Sequence, residues 1–296
     1  MKRIFTVLMA ILLVSAMLMS FASCGSDDKA EDAEVFTTDE AVYTESVTPV
    51  GKTSAEVLDY FNSLVNGVKT SKPAISYYFE KNVPDDSLKV TKKGAEDAEE
   101  IDDSLKAIND SAKGIKDMIL ENIKETSGEI AYGADNSEIL FVKGESFTSA
   151  LTVADIDYAT IKEVGDNYYI TIAFNDIEKN GDTAALAKAF ELRDKDAILA
   201  SEEFAKTSAY LKFNDYDVAY TDCKITATVN RLTNEITNIN YYKAALVTAD
   251  MTGAGTFESY GDVSVMFKLE DKADFNITWT TELPTSPLET AEEVSE

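Results

Sequence analysis

After Ser127 the hydrophobic pattern of this 296-residue chain changes to period two, and no other feature constrains the fold as strongly. In the stretch NYYITIAF, residues 167–174, Tyr168, Ile170, Ile172 and Phe174 alternate with Tyr169, Thr171 and Ala173. Successive side chains of a strand point to opposite faces, so the run has one apolar face and one mostly polar face. The stretch CKITATV repeats the pattern, with Cys223, Ile225, Ala227 and Val229 in phase and Lys224, Thr226 and Thr228 out of phase. Leu151 to Val164 is also strand-like, and Gly165-Asp166 reads as the hairpin turn that joins it to the next strand. The turn sequence RLTNE leads into a strand over Ile236 to Val247. Val263, Val265, Phe267 and Leu269 then alternate, as do Phe275, Ile277 and Trp279.

Helical periodicity belongs mainly to the part before these runs. From Ser54 to about Lys69, Val57, Tyr60, Phe61, Leu64, Val65 and Val68 recur at three and four residues, and Thr53 with Glu56 forms a capping-box start. A second helix is expected from Ser104 to about Lys124, with Leu105, Ile108, Ala112, Ile115, Ile119 and Ile123 on its apolar stripe. Ile75 to Phe79 reads as a strand, and Asp85 to Asp103 as a loop or a solvated helix start. Short helical patterns recur at Ala184 to Phe190 and Ile198 to Lys206. The expected fold is α+β, with leading amphipathic helices packed on a long-stranded, curved antiparallel sheet.

Composition narrows the chemistry. The formal charge is −27, and because Lys2 and Arg3 lie in the leader, the rest of the chain is more acidic still. Such a surface repels phosphate backbones and anionic headgroups, so no nucleic-acid partner is expected. Histidine is absent, which removes serine-histidine and cysteine-histidine catalysis and the commonest metal ligand. The two cysteines, Cys24 and Cys223, rule out a zinc ribbon and allow at most one disulfide.

Lys2 and Arg3 precede an apolar run from Ile4 to Ala22, broken only by Thr6, Ser15 and Ser20, and polar sequence starts at Gly25. That order of charge, apolar core and small residues is the order of a secretory signal. Its end, Phe21-Ala22-Ser23-Cys24, resembles the bacterial lipobox, with Phe21 standing where leucine is usual. The resemblance implies diacylglyceryl attachment to the Cys24 sulfur and cleavage after Ser23, so that the mature protein is held on the extracytoplasmic face of the cell membrane. Ser20-Phe21-Ala22 offers ordinary signal peptidase a second cleavage option. The short basic start, the CGS after the box and the acids beyond it resemble Gram-positive lipoproteins. Residues 24–52 read as an acidic, self-repelling tether, residues 53–283 as one α+β domain and residues 284–296 as a disordered acidic tail.

Three motifs imitate functional sites. Asp176, Glu178, Asn180 and Gly181 fall at calcium-loop positions one, three, five and six, but Ala187 stands where the bidentate glutamate belongs. A polar Asn-Gly turn explains the same residues. The stretch DMTGAGT, residues 250–256, faintly resembles the attachment motif of the FMN-binding family, with Thr256 as the acceptor, and reads more simply as a loop. Cys223 alternates in phase with apolar neighbours and has no histidine partner, so it is expected to be a small buried hydrophobe. No metal, cofactor or catalytic residue is expected, and the chain is read as non-enzymatic.

Tyrosine doublets recur in three strand-like contexts, Tyr77-Tyr78, Tyr168-Tyr169 and Tyr241-Tyr242, and on a strand each sends one ring to either face. Core packing accounts for them, and so does an aromatic-lined concavity around an apolar ligand. A leading helix followed by long antiparallel strands on an exported lipoprotein resembles, in layout alone, the lipid-carrying LolA and LppX lipoproteins and bacterial domains of the tubular lipid-binding type. That resemblance implies a hydrophobic or amphipathic ligand sheltered by the curved sheet, and it carries over no binding residue. The other reading is a surface module with a filled core that contacts an envelope protein or a host polymer.

Overall fold

The computed structural model describes residues 51–84, 87–96, 102–110, 126–136, 139–140, 149–192 and 211–280. The leader, Cys24, most of the tether, residues 111–124 of the second expected helix, the expected helix at 198–206 and the acidic tail lie outside them. The described chain forms an α+β fold dominated by an eight-stranded antiparallel sheet. The strands are β1 (Ala74–Asn82), β2 (Lys89–Lys92), β3 (Thr126–Ile130), β4 (Tyr158–Val164), β5 (Asn167–Ala173), β6 (Leu211–Asn230), β7 (Glu235–Gly253) and β8 (Asp262–Thr278). Their order is β3-β1-β8-β7-β6-β5-β4, and β2 pairs with β8 beyond the end of β1.

Three strands form the spine. β6, β7 and β8 have 20, 19 and 17 residues, well above ordinary strand length. They are longer than the alternation suggests. β6 begins twelve residues before Cys223, at Leu211, and the two runs near the end are one continuous β8. The stretch Leu211 to Asp222 hides its period behind a bulge: Phe213 pairs with Met251 and Asp215 with Asp250, so Asn214 is extra and the phase inverts there. A second bulge lies between Thr221 and Lys224, where Asp222 takes a left-handed φ of 55°, and a third at Thr228/Val229 returns Ile236 to the covered face.

Pairing then dictates what is buried. Ile225, Ala227, Val229, Ile239, Tyr241, Val247, Met251, Val263, Val265, Phe267, Phe275 and Ile277 share one face and are buried. Over one end of that face lies helix α1 (Ser54–Ser71), which packs against β4, β5 and β7 through Val57, Leu58, Phe61, Val65 and Val68. Its start is the expected capping box: Thr53 Oγ1 accepts from the Glu56 amide at 3.4 Å, and the Thr53 amide donates to Glu56 Oε2 at 2.9 Å. The chain leaves the helix at Lys72, in the left-handed region at φ 49°. Helix α2 (Asp103–Asp110) seats Leu105 in the core beside β2, and α3 (Ala184–Ala187) buries Leu186.

Two expectations need correction. The loop expected between Asp85 and Asp103 contains β2, because Val90 and Thr91 pair with Val265 and Ser264 of β8 and are buried. Four residues are too few to show a period. The strand expected from Leu151 begins only at Tyr158, because Asp155 Oδ2 accepts from the Thr152 amide at 2.7 Å and from its hydroxyl at 2.8 Å, closing a side-chain turn. The β4–β5 hairpin closes at Gly165-Asp166 as expected, with Gly165 at φ 60° in the first turn position, where a type II′ turn favours glycine.

Two of the outer strands, β4 and β2, each meet a helix through one side chain. Ser54 Oγ donates to the Ala159 carbonyl at 3.1 Å and accepts from the Ala159 amide at 3.2 Å. Asn109 does the same for Val90 of β2, donating to its carbonyl at 2.8 Å and accepting from its amide at 2.9 Å. Each helix thereby occupies backbone groups that a further strand would use. Phe61 is fully buried between α1 and the sheet, so Phe61→Ala is expected to lower unfolding stability by about 3–5 kcal/mol. Urea denaturation checks this, and a loss under about 1 kcal/mol would mean that α1 is not seated on the sheet.

Candidate functional site

Among the described residues the covered face carries a buried polar pair. Lys243 lies in phase with Ile239, Tyr241, Ala245 and Val247, and it is only 8% exposed. Its ammonium pairs with Asp271 Oδ2, directly opposite on β8, at 3.1 Å and donates to the Glu191 carbonyl at 2.7 Å. Lys81 of β1 stands opposite Asp271 on the other side. Tyr216, Tyr220, Val247 and Leu269 line a recess around the pair with room for about one water. The pair ties the chain at Glu191 down onto the middle of the sheet. Strand parity carries its signal, a lysine and an aspartate each in phase with apolar neighbours, and the sequence reading passed over both.

The doublets divide between the faces as their spacing predicts. Tyr168 is 1% exposed and Tyr169 43%, and Tyr241 is buried while Tyr242 is on the open face. The Tyr241 ring meets Phe190 and Phe275 edge-on, at centroid distances of 5.9 and 5.8 Å, and Phe79 meets Phe275 at 5.7 Å. The Tyr77 ring lies across Gly128 of β3, where any side chain would collide with it. The inward rings are therefore packed on one another and on the helix.

On the open face the amide-bearing residues of β7 and β8 form a ladder. Asn240 Nδ2 donates to Asn238 Oδ1 at 2.5 Å, and Asn238 Nδ2 donates to Asn276 Oδ1 and Asp274 Oδ1, both at 2.8 Å. Burial pushes the Asp274 carboxyl above its ordinary value, and the bond from Asn238 offsets only part of that. Farther along, Glu270 accepts from Tyr242 at 2.9 Å and from Asn82 at 3.1 Å and pairs with Lys268 at 2.9 Å. Burial raises the Glu270 carboxyl, and those three partners outweigh it and hold the group below its ordinary value.

The same face changes character over β4, β5 and the part of β6 paired to β5. Its outward positions are Tyr158, Thr160, Lys162 and Val164, then Asn167, Tyr169, Thr171 and Ala173, then Lys224, Thr226, Thr228 and Asn230. None is a carboxylate, in a chain with 54 acids and a charge of −27. Tyr158 and Tyr169 are 44% and 43% exposed, and Val164 is 60% exposed. Lys162 and Lys224 are exposed as well, with the Lys224 ammonium 5.4 Å from the centre of the Tyr242 ring. Hydroxyls, amides, two ammoniums and two aromatic rings together can donate, accept and stack without an ionised acid to desolvate.

The other sequence candidates fall elsewhere. Cys24 lies outside the described residues. Cys223 is a free thiol on the covered face at the second bulge, 3% exposed, and burial pushes it up to about 11. The calcium-like segment is a turn: Asn180 takes φ 60°, the Gly181 amide donates to the Glu178 carbonyl at 2.8 Å, and Asp176 Oδ1 accepts from the Asp222 amide at 3.1 Å. Among the described residues no group of three or more cysteines and acids gathers to hold a metal ion. Asp250 to Gly253 of the flavin-like stretch are the end of β7, and Asp250 pairs with Lys93 at 2.8 Å.

Two outcomes follow from the charges. Asp271→Asn leaves the Lys243 ammonium buried without its anion and is expected to cost about 3 kcal/mol, while the double variant Lys243→Met/Asp271→Asn recovers most of it. Thermal melts of the four proteins in a double-mutant cycle measure the difference. Asp274 has a folded-state value raised above the unfolded one, so its stability contribution is lost as pH rises from the ordinary carboxylate range through the folded value. Asp274→Asn is therefore expected to raise Tm at pH 7, with the gain vanishing in acid below that range, as parallel melts will show. No family model matches this chain, and no curated protein or solved structure matches it.

Proposed function

We propose that the protein is a non-enzymatic, extracytoplasmic interaction module, anchored to the cell membrane by lipid on Cys24 and holding its sheet out on an acidic tether. The bulges along β6 support a sheet that curves over α1, since each adds local twist and bend to a long strand. The observation that carries the reading is the packing of the inward rings. Tyr168 and Tyr241, two of the rings expected to line a ligand concavity, are 1% and 7% exposed, and the recess at Lys243 has room for about one water. Among the described residues that arrangement favours a filled core over shelter for an apolar ligand, and it leaves contact to the open face.

Co-purification separates the two readings. The full chain, purified from a bacterial host in mild detergent, is extracted with organic solvent after its own anchor has been accounted for by intact-mass measurement. No stoichiometric lipid is expected in the extract. About one equivalent of an acyl-chain compound would replace the module by a carrier. Cys24→Ser is expected to remove the anchor's mass and to move the protein from the membrane fraction to the medium.

A further inference from the structure

We propose that the acid-free field on β4, β5 and β6 is a binding platform for an uncharged polysaccharide strand. The inference deepens the module reading and rests on it. By strand geometry the field measures about 14 Å across three strands and about 20 Å along them, enough for a short run of pyranose rings. Tyr158 and Tyr169 sit on neighbouring strands four residues out of register, so their Cα atoms are about 14 Å apart, with Tyr158 at one end of the field and Tyr169 two residues short of the other. Between and beside them stand Thr160, Thr171, Thr226 and Thr228 in cross-strand rows, with Lys224 beyond Ala173 in the row of Tyr158 and Lys162 beside Tyr169.

Charge selects the ligand class. A polyanion would approach a chain whose formal charge is −27 and would be repelled before it reached two lysines. A polycation would find no carboxylate in the field. A neutral polyhydroxyl chain meets neither penalty: hydroxyl and amide side chains exchange hydrogen bonds with its hydroxyls, the ammoniums donate to them, and the tyrosine rings offer apolar faces to the C–H faces of the sugars. A protein partner fits less well, because protein interfaces centre on clustered aromatic and apolar anchors, and here the two tyrosines stand four residues apart along a threonine-rich surface.

The test is co-sedimentation of the full-length protein in detergent with microcrystalline cellulose, chitin and insoluble mannan, beside heparin-agarose as the polyanion. Retention on at least one neutral matrix is expected, with little change on adding salt, because no charge pairing is involved. Tyr169→Ala and Tyr158→Ala are each expected to weaken it about tenfold, with Tm unchanged because both rings are exposed. Leu246→Ala, on the same face but outside the field, is expected to leave it intact. Retention on none of the neutral matrices, retention that survives both tyrosine substitutions, or retention on heparin alone that falls with salt would each overturn the platform. A purified protein partner held through Tyr158 and Tyr169 without glycan retention would overturn the polysaccharide and leave the module standing. Co-extracted lipid would instead overturn the module.

Discussion

Full-length antiparallel pairing of β6, β7 and β8 decides which side chains share a face over a distance of about 60 Å. Because the side-chain period is two, a one-residue slip in either pairing would carry Val247 and Phe267, or Ile225 and Tyr241, to the solvent side. The remaining elements are placed by that register. β5 and β4 extend the sheet from the Lys224–Asn230 segment of β6, β1 and β3 extend it from the Glu270–Thr278 segment of β8, and α1 lies where the apolar positions are continuous. The cross-strand pair Lys243–Asp271 adds a polar match to the β7–β8 register, since a two-residue slip, which keeps the faces, would set the buried ammonium opposite Leu269 or Ala273.

Where the alternation is regular, sequence and structure agree closely. Cys223 to Val229 and Tyr168 to Phe174 bury the residues that their phase selects, and Thr53 with Glu56 begins α1. Agreement fails where a local rule is overridden. Asn214 and Asp222 insert residues that invert the phase, so the first half of β6 does not look like a strand until its partner β7 is known. β2 is a strand through its pairing with β8 alone. The candidate site was half legible: the doublets told which rings face outward, while the absence of acids from the outward positions of β4, β5 and Lys224–Asn230 becomes visible only when three segments separated by up to 60 residues are laid side by side.

The division of the tyrosines bears on how one sheet serves two purposes. Tyr168 and Tyr169 are adjacent in sequence, yet one is 1% exposed against the helix and the other 43% exposed on the open face. A strand makes that separation without extra structure, so outward residues can vary for recognition while inward ones hold the core. The acids are distributed accordingly. On the open face Asp215, Asp217 and Asp250 lie in the far half, while the outward positions of β4, β5 and the Lys224–Asn230 segment of β6 are uncharged or basic.

The bonds of Ser54 to Ala159 couple two events that most folds keep apart. Ser54 is the first residue of α1, so lifting the helix away uncovers the apolar face and, in the same step, frees the amide and carbonyl of Ala159 on the outer strand. A molecule opened in this way offers a second copy both a greasy surface and a backbone to pair with. Its first misstep on heating would then be strand-to-strand association through β4, and the helix that builds the core also serves as the guard against self-assembly.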